Sequence, residues 1–355
     1  MVNSLYLLIE AVGCPTVCRH CWVQGTPYWA MPLGDVSKVL EEAHRFCADH
    51  GLGFGAYPMH ELAAHPQAAE LLQLFADHVG AAEFEPLTTT GVPLATRQDW
   101  RQLLAAAAEQ GTTTVWVAFH GIGTEHDRQV NRPGAWAETC LAVQRVHEVG
   151  LRAGANVFVT TANASQAGRL LGALERLEVD EMSWEPVTFY PTARGRHHER
   201  LRPQLADLLP IADRIGQRSL FHCDAWADLA AHTEAAWRRR ALVGDWPTFK
   251  RHDGQLLELV CRANLDVHLG TAGRYGERLG NLGTDGAPIV FGRALTYGAS
   301  PADAPWFGPG PLPEPAELAA RYGDQTGQGV HFSADSVRYL WLDRARRPQL
   351  TVTPG

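Results

Sequence analysis

Apolar and β-branched residues gather in six short runs, near 4–10, 52–57, 83–88, 114–120, 153–160 and 181–189, each of strand length. Between them the pattern turns helical. Val36, Val39, Leu40, Ala43, Phe46 and Cys47 recur every three or four positions, after Asp35 and before Gly51, which predicts an amphipathic helix with one buried stripe. Similar stripes cover about 66–79, 98–110, 135–149 and 165–177. Strand and helix patterns alternating in this way predict an α/β fold: a parallel sheet covered by helices and curved into a partial (β/α)6 TIM-like barrel over residues 1–215. In such architectures ligands bind at the carboxyl ends of the strands. The segments that follow each strand are therefore where chemistry is expected.

Composition narrows the class. A chain of 355 residues is long enough for one large domain and an appended piece. Its net charge of -8 argues against a nucleic-acid partner, which would call for a basic stripe. The seven cysteines do not form a secreted disulfide pattern, and Met1-Val2-Asn3-Ser4 lacks a basic segment leading into an apolar one. No apolar run reaches the ~18 residues that span a bilayer. A cytoplasmic protein with no membrane and no nucleic-acid partner is expected.

Three of the cysteines follow the first strand, in the run Gly13-Cys14-Pro15-Thr16-Val17-Cys18-Arg19-His20-Cys21-Trp22. A structural zinc site would want a fourth Cys or His and more often uses two C-x-x-C knuckles. His20 is nearest, but it adjoins Cys21 and would strain to share its metal. A thioredoxin-like pairing of Cys18 with Cys21 leaves Cys14 unexplained, and Trp22 stands where C-x-x-C-H haem attachment needs histidine. Three buried structural cysteines are the plain alternative, which leaves the spacing without a reason. Soft thiolates in a C-x3-C-x2-C turn suit three corners of a 4Fe-4S cube, with the fourth iron free of protein ligands.

The triplet resembles the C-x3-C-x-φ-C motif of the radical S-adenosylmethionine (radical SAM) superfamily, where φ is usually aromatic. The resemblance implies one 4Fe-4S cluster on Cys14, Cys18 and Cys21, with SAM chelated to the free iron through its amino and carboxylate groups. It also implies reductive cleavage of SAM to methionine and a 5'-deoxyadenosyl radical. His20 takes the φ position, which the family sets beside the adenine, and Trp22 is counted with it among the cofactor-binding residues.

Further motifs follow the other strands. Met59-His60-Glu61-Leu62-Ala63-Ala64-His65-Pro66 looks like the family's Gly-Gly-Glu-Pro-Leu-Leu-His-Pro segment, with Met59 and His60 replacing both glycines. That likeness implies Glu61 as the acceptor of hydrogen bonds from the SAM amino group, with His60 beside it; a helix-start acid favoured by the macrodipole is the alternative for Glu61. Thr88-Thr89-Thr90-Gly91 resembles the family's Thr-Asn-Gly turn and adds Thr89 and Thr90 to the cofactor set. Val117-Ala118-Phe119-His120-Gly121, then His126-Asp127 and Arg132, resembles Ser-Leu-Asp-Gly followed by His-Asp and Arg. Ala118 removes the serine hydroxyl, and His120 either replaces it or is a histidine satisfied at a strand end. Asn156 interrupts the apolar fifth strand; its amide needs partners, from SAM or from backbone.

The second half is less regular. Residues 216–298 are expected to form a small α+β extension, since Val260-Cys261-Arg262-Ala263-Asn264-Leu265-Asp266-Val267-His268-Leu269-Gly270 and Leu279-Gly280-Asn281-Leu282-Gly283 look like the SPASM/twitch branch of the family. The second cysteine of that pattern is missing. With only Cys223 and Cys261 in this part, the extension is expected to lack an auxiliary cluster, while Cys47 and Cys140 lie on apolar helical stripes. Cys223 and Cys261 are then either buried small hydrophobes or hydrogen-atom donors to a substrate radical. Arg194 and Arg196 are a candidate carboxylate or phosphate contact, with a solvated basic loop as the alternative. From Ala299 to Pro315 the chain is dense in Pro and Gly around Trp306 and Phe307, so 299–355 is expected to be a strap and tail, with Tyr339, Leu340 and Trp341 packing back.

The function expected from the resemblance is hydrogen abstraction from a small polar metabolite in a biosynthetic pathway, with electrons from a flavodoxin- or ferredoxin-type donor. Only 13 residues precede Cys14, and no leader-binding domain fits there. A ribosomal-peptide maturase or epimerase that uses a separate leader-binding partner is the alternative. A non-catalytic cluster- and SAM-binding sensor is another, suggested by the lost glycines before Glu61 and the lost serine at Ala118.

Overall fold

The computed structural model describes residues 2–21, 29–79, 87–186, 201, 203, 256–271 and 274–296. Six parallel strands appear in the expected order: β1 (Ser4–Ile9), β2 (Gly53–Pro58), β3 (Thr88–Thr89), β4 (Thr114–Phe119), β5 (Arg152–Val159) and β6 (Glu181–Pro186). Helices α1 (Leu33–Asp49), α2 (Ala68–Val79), α3 (Val92–Thr96), α4 (Trp100–Glu109), α5 (Thr124–Val130), α6 (Ala135–Glu148) and α7 (Ala167–Arg176) alternate with them. Among the described residues none of these helices is long and apolar enough to cross a membrane. The strands divide between two sheets, one in the order β3-β4-β5-β6 and one holding β2 and β1.

Strand β7 (Leu256–Cys261) completes the first sheet. It lies parallel to β1 on the side opposite β2, with Ser4 facing Leu256 and Ile9 facing Cys261. Strands β8 (Asp266–Thr271) and β9 (Arg274–Asn281) continue it as an antiparallel hairpin. The boundary expected near residue 215 falls outside the described residues; what is described is a sheet running without a break from the barrel strands into the hairpin. Helix α8 (Ala287–Thr296) fastens that hairpin to the first half. Phe291 packs on Phe46 of α1 at 5.4 Å between ring centres, and Arg293 donates to the Leu279 carbonyl at 2.8 Å. The Leu279-Gly280-Asn281-Leu282 run is a knot of hydrogen bonds: the Asn281 amide donates to the Asn264 carbonyl and to Asp266, and its oxygen accepts from Gly283 N–H.

Strand periodicity explains the two faces of the sheets. Leu5, Leu7 and Ile9, Val115, Val117 and Phe119, and Ala153, Ala155, Val157 and Val159 all join the core formed with the helices. The alternate positions line the interior. There, large rings lie over glycines of neighbouring strands: a methyl group on Gly55 would meet the Tyr6 ring at 2.6 Å, and one on Gly154 would meet the Trp116 ring at 2.6 Å. The rings fill space that any side chain at these two positions would claim. Leu8, Met59 and Val260 form a separate buried cluster with Tyr6 and Tyr57.

Candidate functional site

The residues after β1 leave the sheet as a loop pinned at its base. Val12 bridges Ala30, Gly13 N–H donates to the Trp29 carbonyl and Met31 N–H to the Ala11 carbonyl. The loop leans on α5, where Arg19 N–H donates to the Gln129 carbonyl, and Cys18 packs against Val130 and Ala135 with Cys21 alongside. The Thr16 hydroxyl lies 3.2 Å from the Cys14 sulfur and 3.5 Å from that of Cys18. Burial pushes the Cys14 thiol up to about 12, and the Glu61 carboxylate adds to it; burial does the same to Cys18, also to about 12. Each thiol also feels the charge of Cys21. Among the described residues no three His, Cys, Asp or Glu side chains converge on a point that would hold a single metal ion. A four-iron cube makes a different demand, one iron for each sulfur, and its positive iron is what turns such thiols into thiolates.

Glu61 sits where β2 gives way to the short 3-10 turn Leu62–Ala64 and is 2% exposed. Its side chain does not cap that turn. Instead its Oε2 accepts the Thr90 N–H at 2.5 Å, while Oε1 is buried without a hydrogen-bond partner. Burial raises its pKa, and the Thr90 bond opposes the rise. The turn around it is fixed from outside. His65 Nε2 contacts the Met31 carbonyl at 2.9 Å, and the Arg97 guanidinium donates to the carbonyls of Ala63, His65 and Pro66.

The preceding residue takes a different direction. His60 has φ of +68°, a left-handed conformation that glycine adopts freely and histidine only at a cost. Two consecutive side chains thereby enter the interior and diverge. Glu61 turns to Thr90, whereas His60, 1% exposed, lies 3.8 Å from Glu10 Oε1, and Glu10 Oε2 is 3.5 Å from Arg262 Nε on the far side of β1. Sequence reasoning missed Glu10 altogether, although it holds the interior-facing position two residues beyond Leu8.

Three rings meet across the site. His20 lies 4.3 Å from His120 and 5.0 Å from Phe158 between centres, and His120 lies 5.2 Å from Phe158. Burial, then the neighbouring His20 and His126, hold the His120 pKa well below its ordinary value, so this ring is neutral, and its Nδ1 has no partner. In the register of β4, β5 and β6, Ala118, Asn156 and Ser183 stand in one row. Asn156 Oδ1 and Ser183 Oγ are both buried without partners. The hydroxyl absent at Ala118 thus has a substitute in the same row, and Ser183 could have been found as the polar break in the sixth apolar run.

Other expected residues serve elsewhere. Thr89 Oγ1 accepts the Gly91 N–H at 3.0 Å, and its hydroxyl also acts on the Glu61 carboxyl, opposing the rise in its pKa. Thr90 meets Glu61 with its backbone N–H, and its hydroxyl also lowers the Glu61 pKa. Cys261 is fully buried in the core with Leu257 and Leu259, on the face of β7 opposite Val260 and the interior. That placement corrects its expectation as a hydrogen donor, because strand alternation points the sulfur toward the helices. Trp22, Arg194, Arg196 and Cys223 lie outside the described residues.

No protein-family model matches the chain, and no curated protein matches it. Solved structures do. The complex of Streptococcus suis SuiB with S-adenosylmethionine is 14% identical, with a TM-score of 0.52, over 81% of this chain and 65% of that one. The chain therefore spans about two thirds of the SuiB length. Polyhistidine-tagged anSMEcpe with bound AdoMet is 12% identical, with a TM-score of 0.54, over 96% of this chain and 93% of that one. Native anSMEcpe with AdoMet and the Cp18Cys peptide is 12% identical at 0.52, over 96% of both chains. The chain has the α/β partial-barrel fold of these AdoMet-bound structures.

Proposed function

We propose that this protein is a radical SAM enzyme, and that the interior end of its parallel strands is the active site. One observation carries the reading: the three-thiol loop and the buried, half-partnered Glu61 occupy the same place, close enough for the carboxylate to act on the Cys14 thiol. Cys14, Cys18 and Cys21 would hold a 4Fe-4S cluster, a donor set suited to soft metal chemistry. Such a cluster, when bound there, would supply the reducing electron for cleavage of SAM.

The residues of the chain position and protect. Glu61 Oε1 accepts from the SAM ammonium, whose charge offsets the desolvation that otherwise raises this carboxyl. Asn156 and Ser183 offer an amide oxygen and a hydroxyl to the ribose or carboxylate. His20, Phe158 and the neutral His120 form a ring-lined wall for the adenine and keep water from a reactive radical. Cofactor chemistry does the hard step, and the protein supplies orientation and electrostatics. The reducing electron would come from a flavodoxin- or ferredoxin-type donor.

For the substrate, a small polar metabolite of a biosynthetic pathway is one reading. A peptide is the other, favoured by the AdoMet complexes of anSMEcpe that also hold peptides and align over 96% of this chain. Anaerobic reconstitution tests the enzyme reading against a sensor. About four irons per chain and 5'-deoxyadenosine released from SAM with dithionite are expected, and alanine at Cys14, Cys18 or Cys21 should abolish release. Iron and SAM bound without any release would make the protein a sensor instead.

A further inference from the structure

An unbroken chain of hydrogen bonds joins the end of β4 to Glu61. His120 N–H donates to His126 Nδ1 at 3.2 Å, which fixes the tautomer: the proton of this ring is on Nε2. That nitrogen lies 3.3 Å from Thr139 Oγ1, a hydroxyl that itself donates to the Thr90 carbonyl at 3.2 Å. The Thr90 N–H then donates to Glu61 Oε2. Every donor in the series has one acceptor, so each group is oriented by the one before it.

The packing is built to allow this. Gly91 has φ of +84°, and a methyl group there would meet the Thr139 Cα at 3.0 Å and the Val117 side chain at 3.1 Å. Only glycine lets the turn come so close to α6. Thr139 is fully buried and His126 is 1% exposed, so neither competes with water for its partner.

We propose that His126 and Thr139 are positioning residues for the SAM-binding carboxylate. Thr139, oriented by His126, holds the Thr90 carbonyl, and the Thr90 N–H on the other side of that residue occupies Glu61 Oε2 and leaves Oε1 free for the ligand. The proposal rests on the reading of Glu61 as a SAM ligand, and it deepens that reading: the carboxylate is aimed from α6, an element that carries no ligand of its own.

SAM itself is the probe, with affinity measured by equilibrium dialysis on reconstituted protein of known iron content. Thr139→Val keeps the shape and removes the hydroxyl; SAM should bind roughly fivefold to tenfold more weakly. Thr139→Ser, which keeps the hydroxyl, should restore most of the affinity. The deciding measurement is a cycle with Glu61→Gln. Acting through Glu61, Thr139→Val should add little in the Glu61→Gln background; full additivity of the two losses would overturn the relay. Should Thr139→Val fail to fold, His126→Gln, which keeps a donor toward Thr139, is compared with His126→Leu in the same cycle. If Glu61→Gln binds SAM like the parent, the SAM reading of Glu61 fails. If Glu61→Gln weakens SAM while the Thr139 and His126 variants do not, only the relay fails.

Discussion

At the scale of single residues, the buried histidines have a measurable cost. Burial lowers the His126 pKa to about 4 from its ordinary 6.5. As pH falls through 6.5 the unfolded chain takes up a proton that the folded chain refuses until about 4, so this residue reduces stability progressively across that window and no further below it. The full effect is about 3 kcal/mol. Glu61 runs the other way: its raised pKa makes the unfolded chain the better acid, and stability falls as pH rises above 4.5. Urea unfolding between pH 4 and 8 should separate them, because His126→Gln lessens the first slope, leaving the share that buried His120 contributes, and does not touch the second. An unchanged slope would show that the ring is not neutral in the folded state. Residues differ in how far they could be read in advance. Cys14, Cys18, Cys21 and Glu61 are adjacent in sequence to the strand that carries them, so spacing finds them. Phe158 and Thr139 reach the site from separate elements, and only topology brings them there.

At the scale of elements, strand and helix periodicity located the parallel units because each has one buried face, and the helix boundaries moved by no more than two residues. Face assignment was equally available but went unused for β7, where Leu257, Leu259 and Cys261 alternate toward the core. What periodicity cannot show is which strands pair, and it gave no hint that, among the described residues, six strands would divide between two sheets. The ring-over-glycine contacts are also invisible to it, since a glycine in a strand is silent until its neighbour is known. Gly154→Ala should therefore destabilise by roughly 1–3 kcal/mol through overpacking against Trp116. Thermal unfolding of Gly154→Ala with and without Trp116→Leu checks this: the second change should recover much of the loss, and an equal or larger loss would mean that the ring is not the obstacle.

At the scale of the whole molecule, the strand bearing the cysteine loop is completed by a segment from far along the chain, Arg262 meeting Glu10 across 252 positions. A chain stopped at residue 255 would leave β1 paired with β2 alone and its far edge open. Such a fragment should bind little iron and be cleaved readily by protease, and a fragment that loads about four irons would show that β7 is dispensable to the site. The pairing also sets an order of events during synthesis. β1 emerges first from the ribosome, yet its second neighbour is translated some 250 residues later, about 12 to 50 s at ordinary elongation rates. Closing so long a loop is slow relative to local helix formation. Iron delivered to the nascent chain would find the cysteines on a half-built sheet, whereas iron delivered after release would find them seated. The topology thus makes the pairing of β1 a late event, so the cysteine loop gains its second neighbouring strand only after most of the chain has been made.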